Sequence, residues 1–211
     1  MIGNKKKDSI SDFGKQFKYH NNIDDYWGSL EILKDIVNPF DLSLIKNKII
    51  CEMGVGSGRI LKNLIKLSPK KIYAVEPSEA IEIAKKNYGN RNIIFTKNEC
   101  TNTQLSDNSI DYIFALGLFD YIENIENVLN EFKRILKHKG KILITIPKNP
   151  SIFFIFRWFT GIRYKVFDLP PIVNAVNRSE LELFCKSKNL KILDLCSLWT
   201  TTWIVYLEKN Y

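Results

Sequence analysis

The sequence predicts an α/β fold: a doubly wound seven-stranded sheet, with one antiparallel strand near the C-terminus, flanked by helices. Three observations carry that prediction. Short β-branched or aromatic runs recur from Lys48 onward, segments of helical spacing separate them, and a short hairpin-like connection joins the last two runs and makes one of them antiparallel.

The elements follow in order. An apolar rhythm at Leu30, Leu33, Ile36 and Val37 predicts a helix ahead of the main fold. The runs Ile49 to Met53, Ile72 to Val75, Ile93 to Phe95, Tyr112 to Leu116 and Ile142 to Ile146 are bounded by turn residues and read as buried parallel strands. Helices are expected near 58–67, 78–87 and 124–137, the last stopped by His138-Lys139-Gly140 with Gly140 as its cap. Pro147 to Arg178 departs from the rhythm and holds an aromatic cluster, Phe153, Phe154, Phe156, Trp158 and Phe159. Those phenylalanines read as core beneath a lid or as a dimer contact. A capping box, Ser179-Glu180-Leu181-Glu182, opens a final helix, and strands around Ile192–Leu195 and Trp203–Leu207 close the sheet. We read one domain over 1–211: an N-terminal cap segment (1–46), a ligand-binding core (47–146), a lid insertion (147–178) and a C-terminal helix with two strands (179–211).

Composition narrows the class. A chain of 211 residues, 45% hydrophobic and 26% charged, can bury a core without metals or disulfides. Cys51, Cys100, Cys185 and Cys196 form no CxxC pair and no metal-ligand spacing, and three sit in apolar stretches, so they read as reduced core residues of a cytoplasmic protein. The basic residues at Lys5 to Lys7 are followed by Asp8, Ser9 and Asp12 rather than an apolar run, which argues against a secretory signal, and no window approaches a membrane span. A net charge of +8 suits an acidic small molecule, nucleic acid or an anionic surface, but lysines spread along the whole chain read as solvated surface.

The strongest functional signal is Glu52-Met53-Gly54-Val55-Gly56-Ser57-Gly58, a glycine-rich loop straight after a strand and opening a helix. Glycines there let a ligand approach the backbone closely and meet its N–H groups. The dinucleotide fingerprint needs a glycine where this chain has Arg59, so a pyrophosphate fits poorly. The second strand ends in Glu76-Pro77-Ser78, which places a carboxylate with two acceptor oxygens at the sheet edge. Asn98-Glu99-Cys100 follows the third strand, and Leu105-Ser106-Asp107-Asn108-Ser109-Ile110-Asp111 turns into the fourth.

In this order, over about residues 47 to 146, these motifs resemble the class I S-adenosylmethionine-dependent methyltransferases of small-molecule type, which have a Rossmann-like fold. The resemblance implies S-adenosyl-L-methionine as cofactor. It places Glu52 near the cofactor's amino group, Gly54, Gly56 and Gly58 against its methionine part, and Glu76, with Pro77 beside it, at the ribose hydroxyls. Glu99, longer than the family's usual Asp, and Cys100 fall at the adenine, with Leu116 at the site edge. Asp12-Phe13-Gly14-Lys15-Gln16-Phe17 and Tyr26-Trp27-Gly28-Ser29 also look like the leader of such enzymes.

A sulfonium donor is already activated, so the protein need only exclude water and hold a nucleophile in line. A hydroxyl acceptor also wants a base; a carboxylate or thiolate does not. Asp120 after the fourth strand and His20 in the N-terminal segment are the candidate bases, while His138 lies at the wrong end of the sheet. Tyr19, Tyr26, Trp27, Arg157, Trp158, Arg163 and Tyr164 are candidates for acceptor binding, since additions to this fold set specificity. Gly117-Leu118-Phe119-Asp120 stands where base- and amide-methylating enzymes carry Asn/Asp-Pro-Pro-aromatic, and no cysteine follows that strand as cytosine-C5 chemistry requires. The acceptor class expected is a sugar, a nucleotide-linked sugar or another anionic metabolite, with no metal, no membrane and no nucleic acid involved, and with the protein a monomer or homodimer. A non-catalytic cofactor-binding module and an RNA methyltransferase stay open as alternatives. A dinucleotide oxidoreductase is disfavoured by Arg59 and by the lack of a Tyr-x-x-x-Lys pair.

Overall fold

The computed structural model of the chain describes Leu33 and residues 40–89, 92–149, 175–198 and 201–210. Seven strands, β1 (Ile49–Met53), β2 (Lys71–Val75), β3 (Ile93–Thr96), β4 (Ile110–Ala115), β5 (Leu136–Pro147), β6 (Leu190–Leu198) and β7 (Thr202–Lys209), form one sheet in the order β3-β2-β1-β4-β5-β7-β6. All pairings from β3 through β5 are parallel, and β7 runs antiparallel to both β5 and β6. The expected fold is therefore present. Because β1 lies between β2 and β4, the winding reverses there, and the carboxyl ends of those strands are where open α/β sheets take their ligands.

Among the described residues, four α-helices cover the sheet: α1 (Leu61–Lys66), α2 (Ala80–Tyr88), α3 (Ile125–Ile135) and α4 (Arg178–Ser187). On α3, Val128, Leu129, Phe132 and Ile135 recur at helical spacing and share one core with Leu181 and Cys185 of α4 and with Cys51, Met53, Ile113 and Ile144 of the sheet. Leu33, Phe40, Ile45, Leu61 and Leu64 pack on Ile50, Ile72, Phe114 and Leu143 in a second core. Successive residues of β1 thus feed opposite cores, as a central strand covered on both faces requires. Phe40 meets Tyr112, Phe114 and Tyr206 edge-on, with centroids 5.6, 5.8 and 5.2 Å away, and burying a ring of that size stabilises by roughly 1.5–3 kcal/mol.

Two local expectations need correction. The capping box of α4 uses Asn177 and Glu180, not Ser179 and Glu182: Glu180 N–H donates to Asn177 Oδ1 (2.9 Å) and Asn177 N–H to Glu180 Oε2 (2.8 Å). Both sets fit the sequence pattern, and the backbone leaves its extended form at Asn177. Gly140, for its part, does not cap α3. The helix ends at Ile135 and runs directly into β5, with Lys139 taking the left-handed turn at φ 56°. Gly140 is needed for closeness instead, since a Cβ there would stand 2.7 Å from Leu136 Cγ.

Of the expected N-terminal helix only Leu33 is among the described residues, helical and fully buried. The cluster at Phe153 to Phe159 lies outside them. Cys51, Cys100 and Cys185 are buried, as their apolar surroundings suggest, and Cys196 is half-buried. Among the described residues no helix is long and apolar enough to cross a membrane.

Candidate functional site

The chain leaves β1 at Met53 and folds over the end of β2. Gly54 N–H (2.8 Å) and Val55 N–H (3.2 Å) both donate to Val75 O, and Gly58 N–H closes the turn on Val55 O (2.9 Å). Gly54 and Gly58 hold φ of 78° and 94°, conformations that cost an L-residue strain. Gly58 also has no room for a side chain: a Cβ there would stand 2.8 Å from Tyr88 Cε2 of α2. A Cβ on Gly54 would meet Leu118 Cδ1 at 3.2 Å, so the segment after β4 lies against the glycine loop.

Glu76, at the end of β2, is 7% exposed and holds this loop in place. Its Oε2 accepts from Gly56 N–H and its Oε1 from Ser78 N–H, each at 3.0 Å, while its own N–H donates to Thr96 O of β3 (3.2 Å). Each carboxylate oxygen keeps a further lone pair for a ligand. Glu52, at the end of β1, is 4% exposed, and its Oε2 has no partner among the described residues. Burial, and then the charge of Glu76, push its carboxyl well above the ordinary range, against an opposing hydrogen bond from the Leu61 backbone. Buried polar atoms are normally satisfied, so an orphaned carboxylate oxygen beside a second carboxylate suits a cationic ligand group.

The remaining described candidates follow the neighbouring strands. Glu99 is exposed after β3 and accepts from Thr101 Oγ1 (3.3 Å); Cys100 beside it is buried. Pro77 and Leu116 are half-buried. After β4, Gly117 N–H donates to the hydroxyl of Thr145 on β5 (2.7 Å), Phe119 is locked edge-on against Phe132 (6.2 Å), and Asp120 is left part-buried in the turn. Burial pushes the Asp120 carboxyl up to about 6, against a hydrogen bond from its own backbone. Asp120 precedes α3 by more than a turn and does not start it. Glu52, the three glycines, Glu76, Pro77, Glu99, Cys100, Leu116 and Asp120 therefore all lie at or beyond the carboxyl ends of β1 to β4. Tyr19, His20, Tyr26, Trp27, Arg157, Trp158, Arg163 and Tyr164 lie outside the described residues.

The roles of Thr145 and Ser78 escaped the sequence reading. Nothing near Thr145 marks it; its partner is 28 residues away across the sheet. Ser78 follows Glu76 by two residues, a spacing that could have suggested its turn.

Residues 51–144 match a family of proteins described as the methyltransferase domain. The chain carries a class I S-adenosylmethionine-dependent methyltransferase domain. S-adenosylmethionine is the cofactor of that domain. The chain is 30% identical over 146 residues to an uncharacterized methyltransferase of Schizosaccharomyces pombe, covering 68% of this chain and 53% of that one. It is 26% identical over 108 residues to the sterol 4-C-methyltransferase strm-1 of Caenorhabditis elegans, covering 49% and 32%. The chain thus spans about half the length of the first of these relatives and about a third of the second. A SAM-dependent methyltransferase from Aquifex aeolicus shares the fold, with a TM-score of 0.64 at 22% identity over 85% of this chain and 88% of that one. The methyltransferase domain's matched stretch runs from Cys51 in β1 to Ile144 in β5, and so takes in every described candidate residue.

Proposed function

We propose that this chain transfers a methyl group from S-adenosylmethionine to a small-molecule acceptor bound at the carboxyl edge of β4 and β5. The observation that carries the reading is the pair of buried carboxylates around the glycine loop: Glu76 pinned by two backbone N–H groups, Glu52 with an oxygen unfilled. In this reading Glu52 takes the cofactor's ammonium and Glu76 its ribose hydroxyls, while Gly54, Gly56 and Gly58 let the methionine part lie on the backbone. Pro77, Cys100 and Leu116 line the adenosine, and Glu99 accepts from the adenine amino group. The bound cofactor supplies a methyl group on an activated sulfonium.

The chain's own contribution is orientation and proton handling. Leu118, which lies against Gly54, would contribute an apolar wall to the site at the loop. Asp120 takes the acceptor's proton where the acceptor is a hydroxyl; with its carboxyl held near 6 it is ionised at neutral pH and still basic enough to act. His20 is the second candidate base. Tyr19, Tyr26, Trp27, Arg157, Arg163 and Tyr164 would grip the acceptor, the arginines favouring a sugar, a nucleotide-linked sugar or another anionic metabolite.

Calorimetric titration with S-adenosylhomocysteine, with NADH as control, tests the cofactor site. Wild type is expected to bind the first at about micromolar Kd and not the second, and Glu76→Ala to lose binding; equal binding by Glu76→Ala refutes the site. Methyl-labelled cofactor offered with sugars, nucleotide sugars, sterols and RNA then tests the acceptor. Label on a sterol, the substrate in the name of the C. elegans relative, or on RNA would overturn the anionic small molecule, and binding without transfer to any acceptor favours a non-catalytic module.

A further inference from the structure

The thirteen residues between β3 and β4 contain no helix or strand; their last two are held on α3 by Asn108 N–H on Arg134 O (3.0 Å) and Ser109 N–H on Ile135 O (2.8 Å), and their middle by a buried anchor. Thr103, fully buried, has every polar atom engaged. Its N–H (2.8 Å) and its hydroxyl (2.6 Å) both donate to Oε1 of Glu131, which reaches across from α3. Its hydroxyl oxygen accepts from Leu105 N–H (3.2 Å), and its carbonyl accepts from the Asn98 side-chain amide (2.8 Å). Glu131, 8% exposed, is neutralised by Arg134, whose Nε donates to Oε2 and Nη2 to Oε1, both at 2.8 Å. Burial pushes the Glu131 carboxyl up, but the bonds from Arg134 and Thr103 outweigh it and hold the carboxyl below its ordinary range. The Asn98–Thr103 bond closes a ring of residues 98–103, further braced by Asn102 N–H on Glu99 O (3.0 Å), and Glu99 and Cys100 sit on its rim.

A loop whose only duty were to connect two strands would not need a buried, charge-compensated anchor on a helix of the opposite connection. We infer that Thr103 and Glu131 are positioning residues for the adenine end of the cofactor site: they fix the 98–103 ring so that Glu99 presents its carboxylate to the adenine amino group. The inference rests on the role proposed above for Glu99. An exposed glutamate on an untethered loop would spend its hydrogen bond on water and discriminate little between bases, whereas one held at fixed distance and angle rewards an amino group and penalises an oxo group.

The test compares S-adenosylhomocysteine with S-inosylhomocysteine, in which an oxo group replaces the adenine amino group, by calorimetry on the full chain. Wild type is expected to prefer the adenosyl compound by about tenfold or more. Thr103→Val, which keeps the volume and removes the hydroxyl, is expected to shrink that preference to about threefold or less while binding the inosyl compound nearly as wild type does. Thr103→Ser should restore the preference. Asn98→Ala, which removes the bond to the Thr103 carbonyl and opens the ring but leaves both Thr103–Glu131 bonds in place, should lose it as well, and so keeps the test decisive where Thr103→Val fails to fold. Full preference in both Thr103→Val and Asn98→Ala, or an equal loss of affinity for both ligands, overturns the positioning role. Failure of wild type to bind either compound would instead sink the proposed cofactor site, and binding of both without preference would sink the role of Glu99.

Discussion

Replacing Asp120 with Asn should stabilise the protein, and by an amount that depends on pH in a defined way. Burial of Asp120 in the turn after β4 moves its carboxyl from the ordinary 3.8 to about 6. A carboxyl with a raised folded-state pKa costs nothing while both states are protonated. The cost appears as pH passes the unfolded value and is complete above the folded one, because between them the folded protein binds more protons and stability falls with rising pH. From those two values the penalty is near zero at pH 3, about 1.5 kcal/mol at pH 5 and about 3 kcal/mol at pH 7, as an upper figure for a part-buried group. Asp120→Asn removes the ionisation, so its stability relative to wild type should climb over that window and then level off. Urea denaturation of both proteins at intervals from pH 3.5 to 8, compared as a difference, isolates this group from the other carboxylates that titrate in the same range. A difference that stays flat with pH, or that favours wild type increasingly toward pH 7, would show that Asp120 is paired or solvated rather than buried. It would also remove the physical reason for choosing it as a base.

Two further outcomes follow from the site's geometry. Gly58→Ala combines a left-handed φ of 94° with a Cβ 2.8 Å from Tyr88 Cε2, and should cost about 2–4 kcal/mol, a fall in Tm on the order of 10 °C in a scanning melt. Adding Tyr88→Leu should recover the steric share and leave the backbone strain. Burial and the charge of Glu76 push the Glu52 carboxyl well above its ordinary range in the free protein, and an ammonium beside it favours the ionised form, so S-adenosylhomocysteine binding should be accompanied by proton release from Glu52 and should weaken as pH is lowered. Titrations in buffers of different ionisation enthalpy read that proton directly, and an unchanged release in Glu52→Gln would assign it elsewhere.

The pattern of short apolar runs was enough to find all seven strands, because the central ones bury both faces and leave an unbroken apolar signature, but β5 starts at Leu136, six residues before the expected Ile142, where the sequence pattern predicts a helix end and stop. The same holds for the glycine loop and Glu76, where the chemistry is local: three glycines in five residues and a carboxylate at a strand end need no distant partner to be recognised. What the sequence could not express are contacts made by residues far apart along the chain. The anchor of Thr103 on Glu131 spans 28 residues, and the hydroxyl of Thr145 reaches Gly117 across the same separation, neither with any local mark. The register of the α4 cap and the end of α3 were also settled by packing, since two polar pairs could have capped the one helix and only the closeness of Leu136 explains Gly140. By itself, then, the sequence determined the strand count, the winding and the ligand loop, for which side-chain character along one segment suffices. Tertiary structure alone decided how Glu52 and Glu76 share a buried space, and how the loops after β3 and β4 are held, because burial and long-range hydrogen bonds exist only once the strands lie side by side.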